Sequence, residues 1–131
     1  MSTNSENFNF VVNSTNQTQL THPDNTTNTT RTSDKLKGDG YYGRADGLHS
    51  VQYIVTGFVG KIVTQATLAT TPVTADWFDI TSTVHDNSSG TSSDALATGS
   101  FIHNFTGNYV WIKIVVSDWT TGTVNSILLN H

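Results

Sequence analysis

Residues 108–117, NYVWIKIVVS, alternate with a period of two: Val110, Ile112, Ile114 and Val116 fall on one face, and Tyr109, Trp111, Lys113 and Val115 on the other. Only an extended strand separates the two sets, because its successive side chains point to opposite sides. No segment of the chain carries a comparable 3.6-residue apolar period. The protein is therefore confined to all-β architectures.

Two further segments repeat the pattern. At 49–56, Val51, Tyr53 and Val55 oppose Ser50, Gln52 and Ile54. At 61–68, Ile62, Thr64, Ala66 and Leu68 oppose Lys61, Val63, Gln65 and Thr67, and the intervening GFVG supplies glycines for a turn. Shorter strands are expected around 77–81, after Pro72, and at 101–105. The TTGTV run reads as a hairpin turn into a last strand at 124–129. Six or seven short antiparallel strands predict one small β-sandwich over residues 39–131.

Residues 1–38 have a different composition. Between 13 and 32 the run NSTNQTQLTHPDNTTNTTRT has Leu20 as its sole large aliphatic. Such a segment buries too little apolar area to offset its ordering entropy and is expected to be disordered when alone. One island, NFNFVV, interrupts it with Phe8, Phe10, Val11 and Val12. The reading is an extended polar N-terminal arm whose apolar island docks on a partner, so a chain lacking residues 1–37 should fold but fail to assemble. Between arm and sandwich, GDGYYGRADG forms the joint, with Asp-Gly turns and the paired Tyr41 and Tyr42.

Chemistry-bearing residues are sparse. There is no cysteine, which removes disulfides and thiolate sites, and the five histidines show no ligand spacing. His49 and His103 fall on expected strands and could meet across a sheet. The joint loop resembles a calcium loop only in its Asp-Gly pairs: Asp39 and Asp46 lack alternating oxygen ligands between them and a closing glutamate, and Arg44 would repel a cation. Glu6 is the single glutamate, so the paired carboxylates of a glycosidase are not evident, and no Gly-x-Ser-x-Gly elbow occurs. No catalytic, cofactor-binding or metal residues are assigned.

A net charge of −4 with six scattered Lys and Arg excludes a nucleic-acid footprint, and no apolar run is long enough for a membrane helix. The Asn-x-Ser/Thr triplets, such as those at Asn87 and Asn104, follow from the Asn- and Thr-rich composition. The N-terminus lacks the basic and apolar regions of a secretory signal, so synthesis in a cytoplasm is expected.

The remaining signal is a set of interface candidates. If Ile112 and its companions face the core, Tyr109 and Trp111 face outward, and exposed aromatics favour contacts. Together with Phe8, Phe10, Val11, Val12, Leu20, Tyr41 and Tyr42 they form the expected partner-binding set.

The run from YYGRADGLHSVQYIVTGFVGKIVTQATLATTPVTADWFDI to FTGNYVWIKIVVSDWTTGTVNSILLN resembles small β-sandwich virion proteins of tailed bacteriophages, of the marine cyanophage type. The resemblance spans about residues 40–130 and leaves the arm unmatched. It implies a non-enzymatic virion structural protein, foremost a capsid decoration or cement protein. Its partners would be the major capsid protein or neighbouring tail subunits and copies of itself, with no nucleic acid or membrane. A tail, neck or baseplate component is the alternative placement. From another class comes a carbohydrate-binding sandwich using Trp111, Tyr109 and Trp119 as a platform and Asp118 as a hydroxyl acceptor.

Overall fold

A computed structural model describes residues 5–12, 15–21, 30–43, 46–88 and 96–131, with the backbone alone at 11–12 and 15–16. The chain is all-β. Its strands are β1 (Glu6–Asn7), β2 (Phe10–Val12), β3 (Thr15–Gln17), β4 (Leu20–Thr21), β5 (Arg31–Thr32), β6 (Leu36–Lys37), β7 (Leu48–Thr67), β8 (Phe78–Asp79), β9 (His85–Asp86), β10 (Gly99–Thr106) and β11 (Trp111–Asn130).

β7 and β11, each 20 residues long, pair antiparallel from Trp111 opposite Thr67 to Asn130 opposite Ser50. Neither glycine-rich segment within them reverses the chain, which corrects the expected turns at 57–60 and 120–124. Instead the ladder slips between Ser117 and Thr121, between Thr121 and Thr123, and between Val124 and Ser126. Gly57 at φ 61°, Asp118 at φ 49° and Gly122 at φ 93° sit at this irregularity. Extra residues in a ladder bend and twist a strand without ending it.

The burial pattern records the bend. In β7 the buried positions are odd through Val55 and even from Phe58 to Ile62, and in β11 they pass from Ile112, Ile114 and Val116 to Trp119. A shift of one residue moves a strand's inward set to the opposite parity, so both strands keep facing the core as they curve around it. The two halves of the sheet thus face each other. Tyr53 Oη lies 2.7 Å from Thr64 Oγ1 across the interior, and His85 on β9 packs 4.6 Å from the Phe101 ring on β10. Trp119, Tyr53, Phe58 and Ile127, all 0% exposed, fill the space between.

On its outer edge the first half of β7 pairs with β10, Gly99 opposite Val55 through Thr106 opposite Leu48. The second half pairs with β8 and β9. The free edge of β11 is taken by the N-terminal segment. Glu6 and Asn7 lie opposite Leu129 and Leu128, Leu20 opposite Val124, Arg31 opposite Val116, and Leu36 opposite Ile112. The described parts of residues 5–37 therefore run the length of β11 in pieces.

This corrects the division into a separate arm and a 39–131 sandwich. Phe8, Phe10 and Leu20 are each 0% exposed in the chain's own core, not on a surface. Phe8 N–H donates to Ile127 O at 3.0 Å, and Ser33 exchanges bonds with Ile114 through its N–H (2.9 Å) and Oγ (2.8 Å). Main-chain pairing is indifferent to side-chain polarity, so a Thr- and Asn-rich segment can occupy a sheet edge if a few apolar anchors reach inward. Val11 and Val12 form the small β2–β3 ribbon, and their side chains lie outside the described set. The expectation of disorder at 13–14 and 22–29 also lies outside the described residues.

Candidate functional site

The joint between β6 and β7 carries the densest chemistry among the described residues. Its backbone is a run of tight turns, with Tyr41 N–H donating to Gly38 O, Tyr42 N–H to Asp39 O and Gly43 N–H to Gly40 O. Gly38 and Gly40 N–H groups donate to Val110 O and Tyr109 O at 2.9 and 2.8 Å, holding the turn against the start of β11. The turn sends Asp39 inward and both tyrosines outward.

Inside, Asp39 (1% exposed) meets His49 from the start of β7 and His131 from just past the end of β11. Asp39 Oδ1 lies 2.6 Å from His131 Nδ1, and Asp39 N–H donates to His49 Nε2 at 3.2 Å. His49 Nδ1 sits 2.7 Å from the Gly47 carbonyl, which can only accept, so Nδ1 carries the hydrogen and Nε2 the lone pair. Both bonds define the same neutral tautomer. His49 stacks on Phe105 at 5.1 Å and 5°, and His131 on Tyr42 at 5.8 Å. Among the described residues these three side chains form a group able to hold a metal ion, their donor atoms all within 4.8 Å of one another.

Burial pushes the His49 imidazole below its ordinary value, against the opposing pull of the Gly47 carbonyl and Asp39. Burial alone would raise Asp39, but hydrogen bonds to His131 and Asp46 and the field of both histidines bring it below the usual carboxylate value. His85 and His103, which flank Tyr53 at ring distances of 6.4 and 5.2 Å, are likewise lowered by burial. His49 and His103 do not meet across the sheet: His49 pairs with Phe105 and His103 with Val51.

These shifts give a pH dependence of definite sign. Three histidines with folded values below 6.5 take up protons more readily unfolded, so their contribution is complete above that value and is lost as pH falls through the depressed folded values. Asp39 acts in the same direction below 3.8. Thermal melts should therefore hold a constant midpoint from about pH 8 to 7 and lose stability below about pH 6.5. A midpoint that rises between pH 7 and 5 would contradict the assignment.

Outside, Tyr41 and Tyr42 are 45% and 49% exposed and meet edge to face at 5.5 Å. Tyr41 leans on Trp111 at 5.1 Å. Lys37 Nζ lies 4.5 Å from the Tyr41 ring centroid, Lys35 Nζ 4.9 Å from that of Trp111, and Lys113 Nζ 4.3 Å from that of Trp77. Three of the six basic residues are thus interleaved with aromatics along one face of the sheet. Burial lowers the Lys113 ammonium. Arg44, which in the sequence argued against a calcium loop, lies outside the described residues.

The structure separates the sequence-derived candidates. Tyr41, Tyr42 and Trp111 gather into this ridge, with Trp111 half-buried and its Nε1–H donating to Thr70 O at 2.9 Å. Tyr109 does not face outward as expected; it packs against the core beside His49, Phe78 and Phe105. Trp119 is fully buried, its Nε1–H donating to Thr121 O, which dismantles the carbohydrate platform. Asp76 and Asp79 bond Val73 N–H and the Gln65 amide, both structural roles. The lysines of the ridge and the Asp39–His49–His131 group were not found from sequence, since their members are far apart along the chain.

Fold and site together define an all-β protein with an aromatic–cationic ridge above a buried carboxylate–histidine group. Comparison with protein-family models, curated proteins and solved structures finds no match for this chain.

Proposed function

We propose that this chain is a non-enzymatic structural subunit of a phage virion, foremost a capsid decoration or cement protein, that docks through the Tyr41–Tyr42–Trp111 ridge. The observation that carries the reading is the ridge itself: two tyrosines nearly half exposed, held in place by a tight turn, with lysines stacked on their flank. Rigid aromatics with cations beside them are characteristic anchors of protein interfaces. The lysines select a partner surface bearing carboxylates, while each cation–π contact of about 0.5–1 kcal/mol keeps the ammonium oriented before docking. The resemblance of residues 40–130 to phage sandwich proteins supplies the particle, and many copies on a lattice turn a modest contact into retention. This replaces the arm as the anchor, because Phe8, Phe10 and Leu20 are occupied in the core. A tail, neck or baseplate position would use the same ridge at lower copy number.

Particles lacking the protein, incubated with purified subunit, provide the test. The double variant Tyr41→Ala/Tyr42→Ala should keep its melting midpoint within about 2 °C, because both side chains are exposed. Its occupancy on particles should fall at least tenfold, with wild-type occupancy declining as salt is raised. Full occupancy by the double variant would remove the ridge from the interface.

A further inference from the structure

We infer that Asp39, His49 and His131 form a zinc-binding site that ties the 38–47 turn to the start of β7 and to the residue following β11. The geometry carries this at two levels. First, three donors of the types Zn²⁺ prefers converge: Asp39 Oδ1, His49 Nε2 and His131 Nδ1, all within 4.8 Å of one another. All three side chains are almost wholly buried, Asp39 and His131 at 2% and His49 within a residue 0% exposed.

Second, the far nitrogen of each imidazole faces an acceptor, as in metal sites whose outer partners orient the ligand. His49 Nδ1–H donates to the Gly47 carbonyl at 2.7 Å, which leaves Nε2 unprotonated and directed at the group, where it accepts from Asp39 N–H at 3.2 Å. His131 Nε2 lies 4.0 Å from Glu6 Oε1, while its Nδ1 meets Asp39. The 4.0 Å separation is beyond hydrogen-bond reach, and Glu6 would have to close in to serve as the outer carboxylate of a carboxylate–histidine–metal arrangement.

Without metal, the hydrogen between His131 and Asp39 and the Asp39 N–H bond to His49 hold the three groups together. Zinc replaces these contacts. With bonds of about 2.0–2.1 Å, tetrahedral ligands stand roughly 3.3 Å apart, so the 2.6 Å His131–Asp39 contact opens slightly and His49 closes in. A water molecule completes the coordination. Zinc at His131 Nδ1 would move the imidazole hydrogen to Nε2, and the bound ion would fasten three distant parts of the chain, which makes it a stabilising site.

The test uses tag-free, chelator-treated full-length protein, titrated with ZnCl₂ in a calorimeter and with CoCl₂ in the visible spectrum. One equivalent of zinc should bind, and the cobalt spectrum should be of the tetrahedral type. At zinc a hundredfold above Kd the melting midpoint should rise by roughly 5–15 °C. Asp39→Asn should weaken binding at least tenfold. Glu6→Gln should weaken it, whereas His103→Gln should leave it unchanged. Failure of the wild-type protein to bind zinc more tightly than about millimolar, or binding indifferent to Glu6→Gln and Asp39→Asn, would overturn the site.

Discussion

A chain lacking residues 1–37 is expected to lose cooperative folding, because that segment closes the outer edge of β11 and fills part of the core. Three of its side chains, Phe8, Phe10 and Leu20, are 0% exposed. Truncating a buried Leu or Phe to alanine costs about 2–5 kcal/mol, and whole domains are stable by only about 5–15 kcal/mol. Losing all three, and the pairing of β1, β4, β5 and β6 with β11, exceeds that margin. The truncated protein would also present a long bare strand edge, including the Ile112–Val116 stretch, and should aggregate. Far-UV circular dichroism and thermal melts of the deletion decide the matter. A soluble fragment with a sharp transition near that of the full chain would return residues 1–37 to the status of an appended arm.

Gly122→Ala should be among the most damaging single substitutions. At φ 93° an L-residue is strained, and a Cβ there would fall on the Gly57 carbonyl and 2.5 Å from Phe58 Cα, both backbone positions that cannot swing aside. The expected cost is roughly 3–5 kcal/mol, read as a shift in the urea midpoint. Gly57 provides the control: its φ is 61°, but a Cβ would meet nothing within 4 Å. Gly57→Asn should therefore cost no more than about 1 kcal/mol, since asparagine tolerates the left-handed region. Equal tolerance at both sites would mean that β7 and β11 do not cross at the bend as described.

The faces of the long strands were legible in the sequence. Val51, Tyr53 and Val55, then Ile62, Thr64 and Ala66, then Ile112, Ile114 and Val116 face inward, as the two-residue alternation predicts, but Leu68, expected beside Ala66, is 65% exposed past the end of β7, and Val63 and Thr67 of the opposite face are buried. What followed each set was not legible. Glycine-rich GFVG and TTGTV signal a change of backbone direction, but a reversing turn and a bulge that bends a continuing strand draw on the same residues. Which one forms depends on what lies opposite, and here each irregular stretch lies opposite the other across the ladder.

The N-terminal segment misled for a related reason. Its composition measures how much apolar area the segment buries by itself, whereas a sheet edge contributes main-chain bonds that composition does not register. The site divided in the same way. Tyr41 and Tyr42 were conspicuous as a pair in a turn between glycines, while Tyr109 was misplaced because it precedes β11, which begins at Trp111, and Trp119 because the parity of β11 shifts beyond Ser117. Asp39 is ten residues from His49 and far from His131, so no local spacing announced that they meet.

The sequence alone determined the all-β class and most of the inward faces of its regular strands, since each follows from a period within a few residues. The tertiary structure decided the single bent sheet, the use of residues 5–37 as its edge, and the buried Asp39–His49–His131 group. Those depend on pairing between segments up to the full chain apart, and backbone hydrogen bonds, which make that pairing, carry no side-chain signature.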